Sequence, residues 1–222
     1  MSEASPMPGR VRVVVVDDHH LFRSGLRRLL ADEADLHVVG DGSSDEEAVR
    51  LAGALRPDVI VLDLQMATGR GIDAMRRVRA QSPSTAVLVL TDSDADDDVL
   101  AAILAGASGY LLKSATLPEI VSAIRAAADG ESAIAPRVGG ILLARLRQQE
   151  PRAAITPSEF QLSERELDVL RLLVAGRNSV EIADSLHHSP STIKHHVASL
   201  VLKLGVENRV QAAVRAVRLH LV

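Results

Sequence analysis

The sequence has no cysteine and no tryptophan, and its aromatic side chains are Phe22, Tyr110 and Phe160. Without cysteine there can be no disulfide, thiolate metal site, iron–sulfur cluster or cysteine nucleophile. So few rings argue against reading single-stranded nucleic acid by base stacking. No apolar run approaches the ~20 residues a membrane-spanning helix needs, so a cytoplasmic protein with no membrane partner is expected. The first ten residues carry Glu3, Pro6 and Pro8 and no apolar centre, unlike a secretory leader.

What is present reads as packed globular material. The hydrophobic share of 47% is enough to bury a core, and 222 residues leave room for one or two domains. The net charge of −4 hides a split. Residues 1–131 hold 13 basic and 21 acidic side chains, a net of −8, whereas residues 160–222 hold 8 and 6, a net of +2. Histidines 187, 188, 195, 196 and 220 also lie in that last segment. An acidic front and a mildly basic back suggest two domains with different partners.

Apolar runs recur over the first part at 11–16, 36–40, 59–62, 86–90 and 109–112. Continuous runs suit strands buried on both faces of a parallel sheet. Helical patterns lie between them. One face is assigned to Leu21, Leu26, Leu29 and Leu30, another to Ala48, Leu51, Ala52 and Leu55, and further helices to 72–80, 99–105 and 117–128. Five β–α pairs predict an α/β doubly wound, five-stranded parallel sheet over residues 9–131. Residues 132–158 read as a linker with a short helix at 138–149. Residues 159–222 read as a second, all-α domain of four helices. Its signals are the capping boxes Ser163–Glu166 and Asn178–Glu181, Ser189 before Pro190, and Gly205 as a left-handed stop.

In a doubly wound sheet the ligand crevice lies beyond the carboxyl ends of the strands. Asp17 and Asp18 follow the first strand, Asp63 the third, Thr91 the fourth and Lys113 the fifth. Three converging carboxylates call for a cation, and oxygen donors favour Mg²⁺. A carboxylate can also attack phosphorus to form an acyl phosphate, with a lysine and a hydroxyl holding the phosphoryl oxygens.

These strand-end residues, with Tyr110 three before Lys113, resemble the receiver domain of two-component response regulators, a flavodoxin-like fold. The tail resembles the LuxR-type helix-turn-helix, through 162–166, Ile182–Ala183, Thr192 to Val197 and Lys203 to Val206. In this order the pair resembles the NarL/FixJ architecture over nearly the whole chain. The resemblance implies that Asp63 accepts a phosphoryl group from a sensor histidine kinase. It implies Mg²⁺ held by Asp17 (through water), Asp18, Asp63 and the backbone carbonyl of Gln65. Thr91 and Lys113 would hold the phosphoryl group, and Tyr110 would turn inward as Thr91 moves. Phosphorylation would release the DNA-binding domain and promote a homodimer on double-stranded DNA.

The second helix of a helix-turn-helix enters the major groove with its early residues near base edges. That helix is read as 190–204, with Lys194, His195, Ala198 and Ser199 away from its apolar side. The resemblance adds His196 and Lys203 as backbone contacts. The pairs His187–His188 and His195–His196 lack the further ligands of a tetrahedral metal site. His19 and His20 are placed on the rim of the acidic pocket.

Ala67 stands where relatives often have proline, in a loop kept tight by Gly69 and Gly71. Asp92 stands beside the switch hydroxyl, where an uncharged residue is usual. A unit negative charge ~6 Å from the phosphoryl group costs ~2.8 kcal/mol at an effective dielectric of about 20, before screening. Two alternatives are therefore kept: a regulator working independently of phosphorylation and, less favoured, an aspartyl-nucleophile phosphohydrolase. The acidic run Asp92, Asp94, Asp96, Asp97 and Asp98 also suits the start of a helix.

Overall fold

The computed structural model describes residues 9–67, 71–93, 95–131, 133–134 and 157–222. The first domain alternates β1 (Val11–Val16), α1 (His20–Ala31), β2 (Leu36–Gly42), α2 (Asp45–Leu55), β3 (Val59–Leu62), α3 (Gly71–Gln81), β4 (Ala86–Thr91), α4 (Asp96–Leu104), β5 (Gly109–Leu112) and α5 (Leu117–Ala128). The strands pair in parallel in the order β2-β1-β3-β4-β5. Alternate residues of β1 feed opposite layers. Val14 and Val16 pack with α2, α3 and α4, and Val13 and Val15 with α1 and α5.

Two expectations need correction here. A sixth strand, β6 (Ala133–Ile134), adds to β5 at the sheet edge, inside the segment read as linker. Two residues carry too little pattern to be seen beforehand. Leu21 and Leu29 do not share the buried face of α1: they are 86% and 46% exposed, whereas Leu26 and Leu30 are buried. At about 100° per residue, Leu21 and Leu30 lie on opposite sides of the helix. The helix expected at 138–149 falls outside the described residues, as do Gly69 and Asp94.

Gly71 opens α3 against the loop that follows β3. A Cβ there would lie 2.6 Å from both the Cα and the carbonyl oxygen of Leu64, backbone that cannot swing aside. Gly71→Ala is expected to destabilise the first domain by about 2 kcal/mol, measured by denaturant unfolding.

The second domain follows a 3₁₀ turn (Pro157–Phe160) with α6 (Glu164–Val174), α7 (Ser179–Leu186), α8 (Pro190–Lys203) and α9 (Arg209–Arg218). Both capping boxes form, and Ser189 caps α8 by accepting from the Thr192 amide with Pro190 in the first turn. Gly205 takes φ +59° just past α8, a conformation that costs glycine least. Leu170, Ile182, Ile193, Leu200 and Ala212 close its core.

The two domains touch. Val210 and Val214 of α9 join the same apolar cluster as Val99, Ala102 and Ile103 of α4. Asn208 Nδ2 donates to the carbonyls of Gly106 and Ala107, and Gln211 Nε2 to those of Ile103 and Leu104. These four acceptors lie at and just past the end of α4, where helix carbonyls run short of partners, although the Ile103 carbonyl also accepts from the Gly106 amide.

Candidate functional site

The parallel strands deliver four of the expected side chains to one edge. Asp17 and Asp63 are 2% exposed and Thr91 is fully buried. Lys113 Nζ bridges Asp17 Oδ2 and Asp63 Oδ2, at 2.8 Å each. Burial works to lower the Lys113 pKa, but the hydrogen bonds to Asp17 and Asp63 outweigh it, so the ammonium is held above its ordinary value. The Phe22 ring lies 4.9 Å beneath Nζ and favours the same charge.

The second oxygens of the pocket are tied to backbone. Asp17 Oδ1 accepts from the His19 amide at 2.7 Å, Asp63 Oδ1 from the Gln65 amide at 2.9 Å, and Asp18 Oδ2 from the Ala67 amide at 2.9 Å. Asp18 Oδ1 is buried and accepts no hydrogen bond among the described residues, with His19 Nδ1 3.0 Å away. Ligand atoms of Asp17, Asp18, His19 and Asp63 all fall within 4.8 Å of one another. Two buried carboxylates, a third with an orphaned oxygen and one lysine fit a hard divalent cation such as Mg²⁺. His19 is 66% exposed on the rim of this group and His20 is exposed.

Arg23 belongs to the site and was not foreseen. Its Nη1 donates to the Asp17 carbonyl at 2.5 Å and its Nε to Asp41 Oδ2 at 3.1 Å, and Arg27 also pairs with Asp41. Neither a helical nor a strand period links Asp17, Arg23 and Asp41.

Tyr110 is fully buried, already inward. Its hydroxyl donates to the Ser93 carbonyl at 2.8 Å, and Ser93 Oγ donates to Asp98 of α4 at 2.5 Å. The loop after Thr91 is thus fastened to both β5 and α4. Asp92 between them is exposed, so water screens its charge and the cost reckoned from sequence shrinks.

In the second domain, α8 presents Lys194, His195 and Ala198 outward, with His196 half-buried. Lys194 and Ala198 line a crevice against the first domain, opposite Pro83, Ser84 and Asp129, and Lys194 Nζ stands 3.9 Å from Asp129. Ser199 and Lys203 are turned instead onto the buried Glu166, at 2.6 and 2.7 Å. Helical period alone could not separate an outward polar residue from one serving a buried acid. Glu131 pairs with Arg209 of α9 and also accepts from the Ser179 amide at the start of α7.

Residues 13–125 match the family described as response regulator receiver domain, and residues 160–216 match bacterial regulatory proteins of the luxR family. The chain is 41% identical to the transcriptional regulatory protein LiaR of Bacillus subtilis over 212 residues, 96% of this chain and 99% of that one. It is 34% identical to the response regulator protein VraR of Staphylococcus aureus, over the same shares of the two chains. Among solved structures it resembles the response regulator ChrA of a heme-sensing two-component system, with 35% identity, a TM-score of 0.50, and 96% and 100% of the two chains covered. It also resembles the RcsB response regulator of Salmonella typhimurium, with 26% identity, a TM-score of 0.56, and 92% and 97% covered. No helix among the described residues is long and apolar enough to cross a membrane. The chain is a transcriptional response regulator and not an enzyme, and it belongs to the NarL/FixJ family, which joins a receiver domain to a LuxR-type DNA-binding domain.

Proposed function

We propose that this regulator is switched by phosphorylation of Asp63 from a partner sensor histidine kinase. Phosphorylation would free the DNA-binding domain to dimerise on double-stranded DNA. The observation that carries this reading is Lys113 Nζ held between Asp63 and Asp17, beside the orphaned oxygen of Asp18. Asp17, Asp18, Asp63 and the Gln65 carbonyl would hold Mg²⁺, which when bound supplies charge to offset the phosphoryl oxygens.

An Asp63 carboxylate oxygen attacks phosphorus. The bond to phosphorus forms as the bond from the kinase histidine nitrogen breaks. The product adds about −1.5 to −2 charges to the pocket. Lys113 exchanges its contact with Asp63 for one to a phosphoryl oxygen, and Thr91 moves to donate its hydroxyl. Thr91 carries the 91–93 loop, and with it the Ser93 links to Tyr110 and Asp98. Those links reach α4, whose C-terminal end meets α9. The DNA-reading side of α8, with Lys194 and Ala198, turns toward the receiver across the crevice, which supports a resting state closed to DNA. Paired half-sites read by a dimer then offset the weak, salt-sensitive binding of one domain.

The test is intact-mass spectrometry after incubation with acetyl phosphate and Mg²⁺. A gain of one phosphoryl group, ~80 Da, is expected for the wild type and none for Asp63→Asn. An unshifted wild-type mass in folded protein overturns the reading. Asp92→Ala separates a site that Asp92 slows, where the shift returns, from the phosphorylation-independent alternative. That alternative would be favoured if Asp92→Ala also left the mass unshifted while unphosphorylated protein bound DNA.

A further inference from the structure

We propose that Arg165, His188 and His196 form a clamp for a DNA backbone phosphate that works in its protonated form, so that DNA binding takes up protons. The proposal rests on the DNA-binding reading and adds Arg165 and His188 to it.

Arg165 Nη1 lies 2.6 Å from His188 Nε2. A guanidinium has no acceptor, so in this contact His188 Nε2 is the acceptor. The His196 ring lies 6.4 Å from the His188 ring and 6.4 Å from the His195 ring. Arg165 and His195 are exposed, and His188 and His196 half-buried. Three elements meet at this point: α6 brings Arg165 and Glu166, the end of α7 brings His187 and His188, and α8 brings His195, His196 and Lys203. Glu166 is taken up by Ser163, Ser199 and Lys203. Among the described residues, no carboxylate lies within ion-pair distance of His188, His195 or His196.

Protonating His188 therefore sets an imidazolium against a guanidinium with no anion between them. A phosphodiester oxygen placed there accepts from both and removes the conflict. DNA and the proton favour each other, and by linkage each raises the affinity for the other. Imidazole is the side chain whose charge changes near neutral pH, so the coupling falls there. The cluster is also reachable with the domains docked. His196 lies about 140° around α8 from Val201, which lines the crevice.

The test uses the intact chain and a mixed-sequence DNA duplex at low salt. Affinity is expected to rise about sixfold from about pH 8 to about pH 6, the gain over that span when DNA raises the pKa of one imidazole by about one. In the His188→Gln/His196→Gln double variant the rise is expected to fall to about twofold, whereas His220→Gln keeps the wild-type slope. Calorimetry of the wild type near pH 7 in two buffers of different ionisation heat is expected to show uptake of about half a proton per bound domain. A double variant with the wild-type slope, or calorimetry without proton uptake, overturns the clamp. Binding that persists at both pH values in that case leaves the DNA-binding reading standing. Absence of binding at both, with and without phosphorylation, overturns the two together.

Discussion

Replacing Glu131 with glutamine is expected to raise the affinity of the unphosphorylated regulator for duplex DNA by about tenfold, equivalent to about 1.4 kcal/mol of lost docking. Glu131 lies between α5 and β6, and its carboxylate reaches two elements of the DNA-binding domain. It accepts from the Ser179 amide at 3.3 Å and pairs with Arg209, which is 5% exposed. Burial pushes the Arg209 pKa down, and Glu131 offsets part of that push. Arg209 also donates to Ser179 Oγ and the Arg177 carbonyl, so its own removal would disturb the second domain internally. Glu131 is the cleaner site, since its loss weakens the contact from the receiver side. The other interdomain ion pairs, Lys194 with Asp129 and Arg79 with Glu207, each have an exposed partner and hold less. Small-angle scattering is expected to show a larger radius for Glu131→Gln than for the wild type at the same salt. Unchanged affinity together with unchanged dimensions would mean that the α4–α9 contact holds the domains without this carboxylate.

The acidic pocket was legible because parallel strands bring their carboxyl ends to one edge whatever the chain distance between them. Asp17, Asp63, Thr91 and Lys113 needed only the strand assignments to be placed together. The helix starts of the second domain were legible for a local reason, since a capping box lies within four residues. Contacts without a period were not legible. Glu131 with Arg209, and Asn208 with the Gly106 carbonyl, join residues far apart in the chain through side chains that carry no pattern. Arg23 with Asp41 is the same case inside the receiver. On α8 the period was read correctly, but the buried acid on α6 that draws Ser199 and Lys203 inward sets no mark on the α8 sequence.

That acid carries the second large effect. Glu166→Gln is expected to destabilise the DNA-binding domain by about 2 kcal/mol at neutral pH, the scale of leaving a buried charged group's hydrogen-bond donors unmatched, with Lys203 itself about a third exposed. Glu166 is 4% exposed and takes hydrogen bonds from the Ser163 amide and hydroxyl, from Ser199 and from Lys203. It therefore caps α6 and fixes α8 against it at once. Glutamine keeps one acceptor oxygen but turns an amide N–H₂ toward donors, leaving the Lys203 ammonium or the Ser199 hydroxyl unmatched. Burial works to raise the Glu166 pKa, but the bonds from Lys203, Ser199 and Ser163 outweigh it and hold the carboxyl at about 2, against an ordinary 4.5. A carboxylate depressed by folding contributes stability above its unfolded value and loses it as pH falls through the folded one. The gap between wild type and Glu166→Gln is thus expected to be full above about pH 4.5 and to close toward pH 2. Denaturant unfolding of the two proteins across that range, followed by helical signal, measures it. A gap that stays constant with pH would assign the loss to packing at the α6–α8 contact rather than to the charge of Glu166.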